Sequence, residues 1–168
     1  MIKGVVAGFM ERGYKVGGFQ AYATSDVLIG AGLSSSAAFE TLIGTILSGL
    51  YNDMSISAIE IAIIGQYAEN VYFGKPCGLM DQMACSVGNL VHIDFENPKD
   101  PKVEKLDFNM SEHGYSLCIT DTKGSHADLT AEYAAVPQEM KRIANHFEKE
   151  VLREVEVIDV IKAIPQLR

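Results

Sequence analysis

Apolar residues recur at Ile2, Val5, Val6, Phe9 and Met10, the three-and-four spacing of a helix, and Gly13 stands where such a helix would stop. Residues 18–27, GFQAYATSDV, alternate apolar and polar positions and read as a strand. Residues 37–51, AAFETLIGTILSGLY, put Leu42, Ile43, Ile46, Leu47 and Leu50 on one broad face, a buried helix that Asn52 and Asp53 break. The next helix begins near residues 55–57, where Ser57 and Glu60 fit a capping box. Ile59, Ile63, Ile64, Tyr67 and Ala68 line its inner side, and Gly74, Lys75 and Pro76 mark its end. A short helical piece, LMDQMACSVG, follows at 79–88. Residues 89–95, 102–108 and 115–122 are strand candidates, the first two joined by the charged, proline-bearing loop ENPKDPK. From Asp128 onward the pattern is mostly helical, interrupted by Pro137.

Composition narrows the class. The chain has 168 residues, 48% of them apolar, enough for a sizeable core and too apolar for a disordered segment. Its net charge of -8 disfavours nucleic acid and anionic membrane as partners, since both need a positive surface. Cys77, Cys85 and Cys118 form no C-x-x-C pair, and nothing at the N-terminus reads as a signal peptide. Reduced, packed thiols in a cytoplasmic protein are therefore expected. His92, His113, His126 and His146 have no metal-ligand spacing. There is no apolar run of about 18 residues that would span a bilayer. The chain starts directly in a helix and ends on AIPQLR, which reads as a fragment of a longer protein.

The stretch IGAGLSSSAAFE, 29–40, raises a chemical question. It places glycines and hydroxyls just ahead of a buried helix. A helix start carries unpaired N–H groups and a positive partial charge. Glycines upstream let the backbone turn tightly and come close to a ligand. Serine hydroxyls add donors for phosphate oxygens and can ligate Mg²⁺. Gly30, Gly32, Ser34, Ser35 and Ser36 thus form a candidate triphosphate cradle, although no lysine follows as it does in a P-loop. The alternative is that Ser34 is only an N-cap and the glycines only make a turn. A second cluster, AEN at 68–70 and CGLMDQ at 77–82, supplies carboxylates. Phosphoryl transfer needs a cradle, a metal and a carboxylate near the attacking hydroxyl. Glu69 could supply the metal oxygen and Asp81 the carboxylate. The alternatives are a solvated helix residue for Glu69 and a helix-start acid for Asp81.

Together these residues resemble the GHMP kinase superfamily and, within it, the galactokinase family. GAGLSSSAA resembles the motif that wraps the ATP phosphates, and AEN with GKPCGLMDQM resembles the segment carrying the catalytic aspartate. Glu132-Tyr133 and LREV at 152–155 also match, so the resemblance covers essentially the whole chain. It implies an α+β, GHMP kinase-like fold: a ribosomal protein S5 domain 2-like part over residues 1–96, then further strands and the start of a ferredoxin-like C-terminal domain over 97–168. It implies ATP binding by Gly30, Ala31, Gly32, Leu33, Ser34, Ser35 and Ser36. Mg²⁺ would be held by Ser36 and Glu69. Asp81 would act as base, and Gly78, Asp81 and Tyr133 would contact the sugar.

The implied activity is transfer of the ATP γ-phosphate to the anomeric hydroxyl of galactose. A sugar- and ATP-binding sensor without catalysis, or a kinase for another sugar such as N-acetylgalactosamine, are the alternatives. A GRVNLIGEHTDY-type segment, with its transition-state arginine, and the late glycine-rich motif do not occur here. The resemblance therefore points to an internal piece, inactive by itself and prone to dimerise through an exposed sheet edge.

Overall fold

A computed structural model of the chain describes residues 1–27, 32–97, 99–120 and 130–167. Six α-helices and two strands occur among them: α1 (Ile2–Glu11), α2 (Ser35–Tyr51), α3 (Ala58–Tyr67), α4 (Met80–Val87), β1 (Leu90–Asp94), β2 (Lys102–Leu106), α5 (Thr130–His146) and α6 (Val157–Ala163). This mixture of helices with a small sheet is of the α+β kind. Two compact units divide the chain, one of residues 1–91 and 105–128, the other of residues 92–104 and 129–168.

The first unit is built on α1 to α4. Val5 and Phe9 of α1, Ile43 and Leu47 of α2, Ile61 and Ile64 of α3, with Ile56 and Ala68, make one continuous apolar core. α1 comes close at Gly4, where an added Cβ would sit 2.8 Å from the Cβ of Ala68, so only glycine lets α1 come that near. Ser57 caps α3 as expected, its hydroxyl accepting the Glu60 N–H at 3.1 Å. Past Tyr67 the helix widens into a π-turn, Ala68–Phe73, closed by Gly74 at φ 72°.

The buried faces are rotated from those the apolar spacing suggests. On α2, Leu42 and Leu50 are exposed, while Glu40, Thr41 and Ser48 join Ile43 and Leu47 inside. On α3, Ile59 is exposed and Ala62 and Gly65 are buried. Small residues win some of these places because the helices meet too closely there for larger ones. A Cβ on Gly44, for example, would lie 2.7 Å from the Cγ2 of Ile61.

Two strand expectations fail. Residues 18–27 form no strand, and neither do 115–120; residues 121 and 122 of that second stretch lie outside the described ones. Side-chain alternation is not sufficient, because a strand also needs a neighbour for its N–H and C=O groups. The chain from Tyr14 to Phe19 instead runs extended along the core, packing Tyr14, Val16 and Phe19. The amide of Asn52 clamps it there, accepting from the N–H of Lys15 at 3.0 Å and donating to its carbonyl at 2.9 Å.

In the second unit α5 runs straight through Pro137, which does not interrupt it. Proline removes one helical N–H donor, and the exposed helix carries that loss. β1 and β2 form the two-stranded sheet of the described residues. Their link, residues 95–101, is too short for a parallel crossover, so the pair is a hairpin. Arg153 pairs with Asp94 at 3.2 Å. That carboxyl is held below its usual range, first by the N–H of Glu96 and then by the guanidinium.

The thiols are free, but only Cys77 is half-buried; Cys85 and Cys118 are exposed, against the expectation of packed cysteines. Cys85 is on the open side of α4, and Cys118 is in the stretch that forms no strand. Among the described residues no helix is long and apolar enough to cross a membrane.

Candidate functional site

The start of α2 and the start of α4 meet. Gly32 has φ 74° and Ser34 φ 54°, so the backbone turns through the left-handed region twice just before α2. Glycine adopts this conformation freely and serine does so at a cost. Ser34 occupies the position ahead of the helix, yet its side chain does not cap it. Its hydroxyl instead donates to Oδ2 of Asp81 at 2.6 Å, across 47 residues of sequence. The capping alternative for Ser34 is thereby corrected: the left-handed backbone turns the hydroxyl away from the N–H groups of α2 and toward the acid. Asp81 is exposed in the first turn of α4, where a negative charge suits the helix dipole.

Leu33, Ser35 and Ser36 are half-buried at the same turn. Gly30 and Ala31 lie outside the described residues. Gly78 is exposed in the loop before α4, and a Cβ there would meet nothing within 4 Å. That loop is pinned by Asn70, whose Oδ1 accepts from the N–H of Cys77 at 2.8 Å and whose Nδ2 donates to its carbonyl at 3.3 Å. Tyr133 belongs to α5 in the second unit and is exposed there.

Behind this exposed contact is a buried polar cluster. Glu69, on the π-turn, is 2% exposed, so the solvated alternative is wrong for it. The wider turn directs its side chain inward. Its Oε1 takes an ion pair from Lys75 Nζ at 3.2 Å, and its Oε2 accepts from Gln82 Nε2 at 3.0 Å. The same Gln82 nitrogen donates to Oε2 of Glu40 at 3.3 Å and approaches Cys77 Sγ at 3.6 Å. Burial, and then the charge of Glu69, push the Glu40 carboxyl up to about 7. Burial, followed by the charge of Glu69, drives the Cys77 thiol up to about 12. Gly65 on α3 leaves room for the cluster, since a Cβ there would sit 3.2 Å from Gln82 Cγ and 3.3 Å from Glu40 Cβ.

Residues 1–89 match the family described as GHMP kinases N terminal domain. The chain belongs to the GHMP kinase family. It is similar to a galactokinase of Pyrococcus furiosus, at 34% identity over 98% of this chain and 46% of that protein. Galactokinases of Streptomyces coelicolor and Thermotoga maritima are 31% and 32% identical, over 98% and 99% of this chain and 42% and 47% of theirs. The chain thus spans less than half the length of these curated relatives.

For a GHMP kinase a divalent cation is implied, and the donor set fits one. Ser36, Glu40, Glu69 and Gln82 offer hydroxyl, carboxylate and amide oxygens, the hard donors Mg²⁺ takes. Oε1 of Glu40 and Oε1 of Gln82 are buried with no hydrogen-bond partner. Among the described residues no three His, Cys, Asp or Glu side chains could hold a metal ion by themselves. The hydroxyl and amide oxygens are therefore needed to complete the set. Glu40 and Gln82 escaped the sequence reading because each looks like an ordinary helix residue; the one available signal was Gln82 directly following Asp81 on a helix with an apolar side.

Proposed function

We propose that the chain is part of a galactokinase, transferring the γ-phosphoryl group of ATP to the anomeric hydroxyl of galactose. The observation that carries this reading is the 2.6 Å contact between the Ser34 hydroxyl and the Asp81 carboxylate. A serine turn of phosphate-binding type and an exposed acid open at one place, and that acid already accepts a hydrogen bond from a hydroxyl. The match of 98–99% of this chain to galactokinases of three organisms supports the choice of sugar.

In this reading the turn from Gly30 through Ser36, with Ala31 and Leu33, cradles the ATP phosphates with its N–H groups and hydroxyls. Asp81 accepts the proton of the anomeric hydroxyl as that oxygen bonds to the γ-phosphorus and the bond to ADP breaks. Gly78 contacts the sugar through its backbone and Tyr133 through its hydroxyl. Ser36 and Glu69 hold Mg²⁺, which when bound draws charge from the phosphate oxygens. The finer fold assignment goes with this function: residues 1–96 as the later part of a ribosomal protein S5 domain 2-like unit, and 97–168 as further strands and the start of a ferredoxin-like domain. A cytoplasmic site of action and pairing of two copies through an exposed sheet edge complete the reading.

The test is ADP release from ATP with galactose by the encoded protein in its full length. Asp81→Ala is expected to keep Mg·ATP binding and to lose roughly 10³-fold or more in turnover. Undiminished turnover would remove Asp81 from its role. Sugar-dependent ATP binding without any turnover in the parent protein would instead establish a sensor.

A further inference from the structure

The buried cluster contains more acceptor oxygen than the chain itself satisfies. Glu40 and Gln82 are each 1% exposed and Glu69 is 2% exposed. One ammonium, Lys75, and one amide group, Gln82 Nε2, face two carboxylates. After these contacts, Oε1 of Glu40 and the carbonyl Oε1 of Gln82 still have no donor. A buried acceptor left without a donor is costly, and a carboxylate oxygen more so than an amide one. Gly65 lets Gln82 and Glu40 pack closely against α3, because a Cβ there would sit 3.2 Å from Gln82 Cγ and 3.3 Å from Glu40 Cβ. The arrangement is costly as packing, yet it is what a hard cation requires: several oxygens held in place beforehand.

We propose that Oε1 of Glu40 is a further ligand of the divalent cation, joining Ser36 and Glu69, with the Gln82 carbonyl beside it. Ser36 stands one helical turn before Glu40 on α2, so both belong to the same helix face. Gln82 links that face to Glu69 through its amide nitrogen. The proposal rests on the kinase reading for the presence of a cation, and it adds the residue that supplies the second negative charge.

The experiment uses the chain as it stands, with Mn²⁺ alone as probe, reading free Mn²⁺ by electron paramagnetic resonance and thermal midpoints with and without the ion. Glu40→Gln keeps the shape and one acceptor oxygen while removing the charge. It is expected to weaken Mn²⁺ binding at least tenfold and to abolish the rise in midpoint that the ion gives the parent. Glu69→Gln is expected to do the same. Glu40→Asp keeps the charge and withdraws the oxygen by one methylene, so it too should weaken binding. Glu104→Gln, on exposed β2, should bind as the parent does. If Glu69→Gln weakens binding while Glu40→Asp and Glu40→Gln bind like the parent, the proposal is overturned and the kinase assignment of Glu69 stands. If the parent binds no Mn²⁺, or Glu69→Gln leaves binding unchanged, the proposal and that assignment fall together. Circular dichroism and the metal-free midpoint of each variant establish that the fold is kept.

Discussion

Asp81 and Gln82 are neighbours on α4, and they serve opposite sides of it. Asp81 is exposed and meets one hydroxyl, that of Ser34. Gln82 is buried and its amide joins two carboxylates from α2 and the π-turn. Successive helix residues point about 100° apart, so one turn of helix supplies both an open acid and an internal brace. The contrast separates two jobs. The exposed contact can be exchanged for a substrate at small cost, whereas the buried one sets where α4 begins and therefore where Asp81 stands.

The largest expected effect comes from breaking the brace. Gln82→Leu strips both carboxylates of their shared donor and is expected to cost roughly 3 kcal/mol in urea unfolding at neutral pH. A loss below about 1 kcal/mol would mean that the cluster does not depend on the amide. Next is Gly65→Ala. Its methyl must displace Gln82 or Glu40 by a few tenths of an ångström, and a destabilisation of about 1–3 kcal/mol is expected in the same assay.

The pH dependence sharpens the comparison further. Burial and Glu69 push the folded Glu40 carboxyl up to about 7, from the 4.5 of a free glutamate, so between those pH values the folded chain holds a proton that the unfolded chain has released. Stability contributed by this group is thus complete below about 4.5 and is lost as pH rises through 7. The groups acting on Glu40 are Glu69, which raises it, and Gln82, the N-terminal ammonium and Lys75, which lower it. Thermal melts of the metal-free chain from pH 5 to 8 should show this slope, and Glu40→Gln should flatten it. The smallest effect belongs to the exposed contact. Ser34→Ala should change stability by less than about 1 kcal/mol, because water replaces the hydroxyl at Asp81. A larger loss in the same melts would erase the distinction between the two sides of α4.

Much of the local structure was legible. Helical spacing placed α1 to α4 in sequence, Ser57 and Glu60 announced a cap that exists, and the charged loop at 95–101 does join two strands. Residue type alone singled out the glycine-serine turn and Asp81, with an N-cap and a helix-start acid left open for them; only the fold brought Ser34 and Asp81 together. The segments at 18–27 and 115–120 misled, since alternation describes a surface to be paired and says nothing of whether a partner strand is present. The burial of Glu69 was illegible for a related reason. A glutamate near a helix end is ordinarily solvated, and its inward direction depends on a π-turn that apolar spacing does not encode.

What the sequence by itself determined is the helices α1 to α4, the β1–β2 pair and the two chemical vocabularies, hydroxyls ahead of α2 and acids about α4, because caps, turns and periodicity act over a few residues. Tertiary structure alone decided which face of each helix is buried, and that Ser34 reaches Asp81 while Glu40 and Glu69 share Gln82. Those relations join residues 47, 42 and 13 positions apart. They follow from how closely helices can approach at Gly4, Gly44 and Gly65, a property of packed surfaces that no single segment carries.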